Sequence, residues 1–259
     1  MSRNLTFVIN PEGQQASLEL FQKTIEDIRR LIRDLDYAVT REKGRRRWVI
    51  EALRTSAPTI TVRPLLENDE LIETIVNGVA SVSRGTEVPP DHFNEPSLED
   101  LRRMQRLFRG GDRARNVTIS HNEHPAVIER DIGSKVDRIL AGGYSALGSI
   151  QGVLDAINLH GPNPVFTIWD SERGTPIHCS FPKTSEWVKR VEDLLQKLVM
   201  VKGTVNYFKN GLPRSIVGIK AITDETPDAN LPRATFGCLS GEEPITDVVD
   251  FLKRVREGV

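Results

Sequence analysis

Two cysteines in 259 residues, Cys179 and Cys238, build neither a disulfide framework nor a thiolate metal cage. So few thiols suit a reducing compartment. Net charge is nearly absent: 35 Lys and Arg stand against 36 Asp and Glu, so the whole-protein field neither gathers nor repels nucleic acid. Any electrostatic partner must be met locally. No apolar run at the start resembles a signal-peptide core, and none elsewhere approaches the roughly 20 apolar residues of a bilayer span. The expectation is a cytoplasmic protein with no membrane partner. No Gly-Lys pair and no GxGxxG occur, which removes the Walker A and dinucleotide loops. The nearest nucleophile elbow, Gly143-Tyr144-Ser145-Ala146-Leu147, has Leu where a second Gly must sit. The chain therefore reads as a binding protein, not an enzyme, with no cofactor.

Apolar periodicity divides the sequence into three stretches. Leu5, Phe7 and Ile9 alternate with polar residues ahead of Pro11, the period of a half-buried strand. Behind Ser17, the residues Leu18, Phe21, Ile25, Ile28, Ile32 and Leu35 recur every three or four positions, one stripe along a long helix. Residues 48–53 and 59–62 read as strands around Ser56-Ala57-Pro58. Leu71, Ile75, Val79 and Val82 mark one further helix, and Leu98, Leu101, Leu107 and Phe108 another that Ser97 would cap. Residues 116–120 and 125–129 form a hairpin pattern across Asn122-Glu123-His124. Ile132, Val136, Ile139 and Leu140 then give a short helix ending at Gly142-Gly143. Residues 1–143 are thus expected as an α+β domain.

From Tyr144 the order becomes strand, strand, strand, helix, strand, strand. Within residues 149–159 the apolar parity shifts from Ile150 and Leu154 to Ile157 and Leu159, as a β-bulge makes it do, so this long strand bends. Residues 165–169 and 177–181 form a meander through Asp170-Ser171-Glu172-Arg173-Gly174. Trp187, Val188, Val191, Leu194 and Leu195 share a helix face behind Thr184 or Ser185. Val199, Val201, Val205 and Tyr207 alternate, Asn210-Gly211 signals a tight hairpin, and residues 216–222 return as a fifth strand. A kinked first strand and a helix between the third and fourth resemble the oligonucleotide/oligosaccharide-binding (OB) fold, and predict a five-stranded barrel over residues 144–222.

Residues 223–259 carry eight acids and four bases, a formal −4. A polar linker precedes an extended stretch with Phe236 and Leu239. A C-terminal amphipathic helix follows, with Ile245, Val248, Val249, Leu252 and Val255 on one face. Ser240 and Glu243 are spaced as its capping box. Such a segment fits a groove on a protein partner, burying Phe236, Leu239, Val248 and Leu252. The competing reading docks the same helix on this chain's own barrel or on a second copy.

Other candidate sites are weaker. His121 and His124 supply two metal ligands with no cysteine nearby to close a tetrahedral site, so no metal is expected. His178 and Cys179 are adjacent in a strand and point to opposite faces, with Cys179 in phase with Ile177 and Phe181. A basic run, Arg41 to Arg47 with Arg45, Arg46 and Arg47 at its end, carries a formal +4. A second cluster, including Arg102 and Arg106, carries +5. Either would meet phosphates or be a solvated surface. With Phe166 and Ile168 pointing inward, Trp169 falls outward beside His178 as a platform for a stacked base. Single-stranded nucleic acid is accordingly the alternative partner.

The strings from Gly148 to His160, Cys179-Ser-Phe-Pro182 and Val199 to Val205 resemble a group of little-characterised bacterial proteins with OB-like C-terminal modules. The likeness covers most of the chain loosely. Phe236-Gly-Cys-Leu-Ser-Gly-Glu-Glu243 and Asp250-Phe-Leu-Lys-Arg-Val-Arg-Glu257 resemble the toxin-facing ends of antitoxins paired with PIN-domain ribonucleases. That resemblance implies a protein partner held by the tail, although the chain is larger than ordinary antitoxins.

Overall fold

The structure, a computed structural model, describes residues 4–13, 15–41, 47–54, 58–65, 69–122, 124–160 and 163–226. Strand β1 (Leu5–Pro11) buries Leu5, Phe7 and Ile9 on one side and leaves Thr6 and Val8 half-buried on the other. It pairs antiparallel with β3 (Thr59–Pro64) and β4 (Ala114–His121). β2 (Trp48–Arg54) lies beyond β3 and β5 (His124–Ile128) beyond β4, so the sheet order is β2-β3-β1-β4-β5. The buried side joins one apolar core with residues of α1 (Leu18–Thr40), α2 (Asp69–Arg84), α3 (Glu95–Arg103) and α4 (Ile132–Ala141).

Two local expectations are corrected. Of the predicted α1 stripe, Ile28, Ile32 and Leu35 are buried and Phe21 and Ile25 half-buried, but Leu18 at its start is 76% exposed, and the polar Thr24, Asp27 and Asp36 are buried as well. The apolar pattern did not place Asp27 on this buried face, where it meets an arginine from elsewhere in the chain, described below. The cap of α3 is Asn94, with Ser97 as its reciprocal partner. Asn94 accepts from the Ser97 N–H at 3.1 Å and the Ser97 hydroxyl accepts from the Asn94 N–H at 3.0 Å, a capping box. Leu107 and Phe108 lie past that helix in a 3₁₀ turn, Met104–Phe108.

Five further strands close a barrel. β6 (Tyr144–Asn158), β7 (Val165–Asp170) and β8 (Pro176–Ser180) form the antiparallel meander; β9 (Leu198–Tyr207) and β10 (Pro213–Asp224) return as a hairpin. The ring runs β6-β7-β8-β10-β9, with β8 and β10 parallel at Ser215–His178 and Ile216–Cys179. The expected bulge lies between Leu154 and Ala156 of β6. Helix α5 (Ser185–Asp193), capped by Thr184, sits between β8 and β9 and adds Val191 to the barrel core. The architecture is mixed α+β, and no helix among the described residues is long and apolar enough to cross a membrane.

Met1–Asp224 form one compact unit and Glu225–Val259 a second. The first unit holds two apolar cores, one of sheet and helices and one inside the barrel. They are tied together at the β9–β10 turn. Phe208, one residue past β9, is 3% exposed and belongs to the helical core. Arg214 of β10 pairs with Glu95 at 2.6 Å and donates to the Leu140 carbonyl at 2.9 Å. Gly143 is needed where the chain enters the barrel: a β-carbon there would collide with the Tyr207 carbonyl oxygen.

Two outcomes follow from this packing. Phe208→Ala should lower unfolding free energy by about 3–5 kcal/mol in urea titrations, because it empties a site in the helical core. The second concerns Asp100 of α3, 4% exposed. Burial and the neighbouring Asp34 carboxylate push its carboxyl from an ordinary 3.8 up to about 7, against the pull of Arg103 and Arg33. A carboxyl raised by folding favours the fold while protonated. Its contribution is therefore full below about pH 4 and is lost as pH rises through about 7. Asp100→Asn should flatten that decline, and should melt higher than the parent at pH 8 with little difference at pH 4.

Candidate functional site

The polar cluster that joins α1 to the barrel sits where sequence placed a nucleic-acid platform. The C-terminal turn of α1 brings Tyr37, and Arg41 follows as its left-handed cap residue at φ 58°. Phe166 and Ile168 of β7 point into the barrel as expected, so the alternate residue Trp169 points out. Its ring is nonetheless only 6% exposed. Tyr37 packs edge-on to it with centroids 5.0 Å apart, and the Arg41 guanidinium lies 5.4 Å from the ring centroid. Trp169 Nε1 donates to the Tyr37 hydroxyl at 3.1 Å, and that hydroxyl donates onward to Asp155 at the β6 bulge. Burial, reinforced by Asp155, holds the Tyr37 hydroxyl well above the ordinary tyrosine range, so it stays protonated and bridges the two parts as a neutral donor.

The Arg41 side chain also lies against Gly174 in the β7–β8 turn. A β-carbon on Gly174 would collide with it, and the positive φ of 64° independently favours glycine. Asp170, 4% exposed, accepts from Arg173 at 3.3 Å and from the Glu172 N–H at 3.0 Å, which fixes that turn. Next to Trp169, Thr167 is 7% exposed and the facing His178 is half-buried. The outer face of β7 and β8 is thus largely covered within the chain, and Trp169 does not stand open as a stacking surface.

The arginines are placed apart and mostly occupied. Arg106 grips Asp27 with two hydrogen bonds, 3.1 Å from Nε and 2.7 Å from an Nη, and Asp27 is 1% exposed. Burial pushes the Asp27 carboxyl up and Arg106 draws it down. Arg102 pairs with Asp137 at 2.8 Å and Glu99 at 3.3 Å. Arg47 is exposed ahead of β2, while Arg45 and Arg46 lie outside the described residues. Phe236, Leu239, Val248 and Leu252 also lie outside them, as does the whole predicted C-terminal helix.

His121 donates from Nδ1 to the Asn4 carbonyl at 2.8 Å, which leaves Nε2 to accept from Asn122 at 2.9 Å. Both ring nitrogens serve the hairpin. No group of three or more metal-ligating side chains occurs among the described residues. Cys179 is fully buried in the barrel core, and burial alone pushes its thiol up. Sequence reasoning missed Tyr37 and Asp155, which are 118 residues apart and carry no local signal of their pairing. It also passed over the uncharged run from Tyr144 to Leu154, which was visible.

No family model matches the chain, and no curated protein matches it. Among solved structures it is similar to the OBody AM3L15 bound to hen egg-white lysozyme, at 14% identity over 34% of this chain and 84% of that one, with a TM-score of 0.26. It is likewise similar to the OBody AM1L10 bound to hen egg-white lysozyme, at 18% identity over 33% of this chain and 83% of that one, with a TM-score of 0.25. Likeness of this degree carries no argument about function.

Removing Arg106 from the helical layer, or Trp169 from the seam between α1 and the barrel, should therefore read out as stability. Arg106→Ala strands a buried carboxylate and should cost about 3–5 kcal/mol. Trp169→Ala should cost a similar amount, about 3–5 kcal/mol, by loss of buried ring and of the Tyr37 contact. Urea titrations without any ligand check both; an unchanged midpoint for Trp169→Ala would return that residue to a binding role.

Proposed function

We propose that this chain is a non-catalytic protein-binding protein, antitoxin-like, whose acidic C-terminal segment engages a protein partner of the PIN-type ribonuclease class. The observation that favours protein binding over single-strand binding is the burial of Trp169 beneath Tyr37 and Arg41. The reading takes the barrel as OB-type, from its strand order, its bulged first strand and the helix between third and fourth strands. An OB barrel takes oligonucleotides on its second and third strands. Here those strands are β7 and β8, and Tyr37 and Arg41 from the end of α1 cover Trp169, the aromatic residue on their outer face. The pairing of Arg102 and Arg106 with carboxylates further reduces the positive charge free to meet phosphates.

For the tail, the support is chemical. Its formal −4 suits a cationic groove, and Phe236, Leu239, Val248 and Leu252 supply the apolar anchors of an extended segment followed by a helix. Because a polar, proline-containing stretch of sequence from Thr223 precedes the tail and is expected to set it apart from the barrel's strand pairing, removing residues 231–259 should leave the melting temperature of the remainder unchanged. The same deletion should abolish partner capture from source-cell extract. Leu252→Asp should do nearly the same by setting a charge in the apolar stripe. A truncated protein that still retains its partner, or a tail deletion that melts well below the parent, overturns the reading. Saturable, salt-sensitive binding of a single-stranded oligonucleotide would support the alternative.

A further inference from the structure

We infer that two copies of this chain associate through the first half of β6, strand against strand across a two-fold axis. From Tyr144 to Gln151, β6 pairs with β9 on one side, and its pairing with β7 begins only at Gly152. Among the described residues no strand lies along the other side of residues 144–150. The stretch is open to solvent: Leu147 is 72% exposed and Tyr144 55%, with Ser145, Ala146 and Ser149 exposed as well.

Open strand edges are ordinarily shielded by charge, proline or a bulge, because unpaired backbone donors and acceptors recruit other strands. The two edges of the N-terminal sheet follow this rule. β2 carries Glu51 and Arg54 and a register shift, and β5 opens with His124-Pro125. The β6 edge does not. From Tyr144 to Leu154 there is no charged residue and no proline, and the bulge falls beyond Leu154.

The side chains say which strand fits. A two-fold axis perpendicular to a sheet keeps each residue on its own face, so facing residues must share parity. A register centred on Leu147 sets Leu147 opposite its copy, Ala146 opposite Gly148, Ser145 opposite Ser149 and Tyr144 opposite Ile150. Small faces small without a clash, while hydroxyl facing hydroxyl and an aromatic ring facing a β-branched chain are combinations that stabilise antiparallel pairs. No like charges meet. A foreign strand selected by charge would find nothing to read on this edge, whereas an identical strand supplies every complement by symmetry.

Sedimentation equilibrium of the full chain from about 1 to about 100 µM should show mass rising toward twice 29.1 kDa. Leu147→Lys brings two ammonium groups together at the axis and should weaken association by about 100-fold, with an unchanged circular dichroism spectrum. In a Cys238→Ser background, Leu147→Cys should cross-link to a dimer on mild oxidation, and Val217→Cys, on β10, should not. A chain that stays monomeric throughout the range overturns the proposal. So does a Leu147→Lys variant that associates as tightly as the parent, or a Leu147→Cys variant that fails to cross-link where Val217→Cys succeeds.

Discussion

The hydrogen bond from Trp169 Nε1 to the Tyr37 hydroxyl is the contact around which the two halves of the first unit are arranged. A buried indole N–H left without an acceptor costs roughly 1–3 kcal/mol, so burying Trp169 requires a partner. Tyr37 accepts, and its own proton must then go somewhere. It goes to Asp155, which sits at the β6 bulge. Bulges re-aim side chains, and here the extra residue turns a carboxylate from the barrel wall toward α1. One irregularity in a strand thereby completes a hydrogen-bond chain from α1 to the barrel, a second tie beside the one at the β9–β10 turn.

The same logic governs the charges inside the helical layer. Asp27 stands on the buried side of α1, where an isolated carboxylate would be intolerable, and the two-pronged contact from Arg106 makes it tolerable. A cluster that looks like a phosphate-binding surface along the sequence is, in space, partly a set of internal clamps. Arg102, Arg103, Arg106 and Arg113 each face a carboxylate.

Much of the fold was legible because its signals are local. Ser17 ahead of an apolar stripe, the parity shift in β6, Thr184 ahead of Trp187 and Asn210-Gly211 between strands each encode an element within a few residues. The order of the barrel's elements followed from them. What local pattern did not hold was contact between distant residues: Asp27 with Arg106, Trp169 with Tyr37, Phe208 with the helical core. The apolar stripe of α1 did not announce the buried Asp27, whose partner Arg106 lies far along the chain. Trp169 was placed correctly on the outer side of β7, yet whether that side meets solvent depends on where α1 docks. The β6 edge is the converse case, since its lack of charge could have been weighed from the sequence.

Phe208 links the two cores out of chain order. The sheet and helices of the N-terminal half leave the ribosome first, but the side chain that fills part of their core is made some 67 residues after α4 ends, counting from Ala141 to Phe208. A nascent chain paused anywhere in that interval holds an apolar socket with nothing to fill it, the kind of transient surface that chaperones hold and that aggregates when crowded. The hairpin that carries Phe208 into that socket is the same one that closes the barrel. The N-terminal half can therefore reach its full stability only when the C-terminal half has folded, and a truncation before Phe208 would weaken residues that it leaves in place.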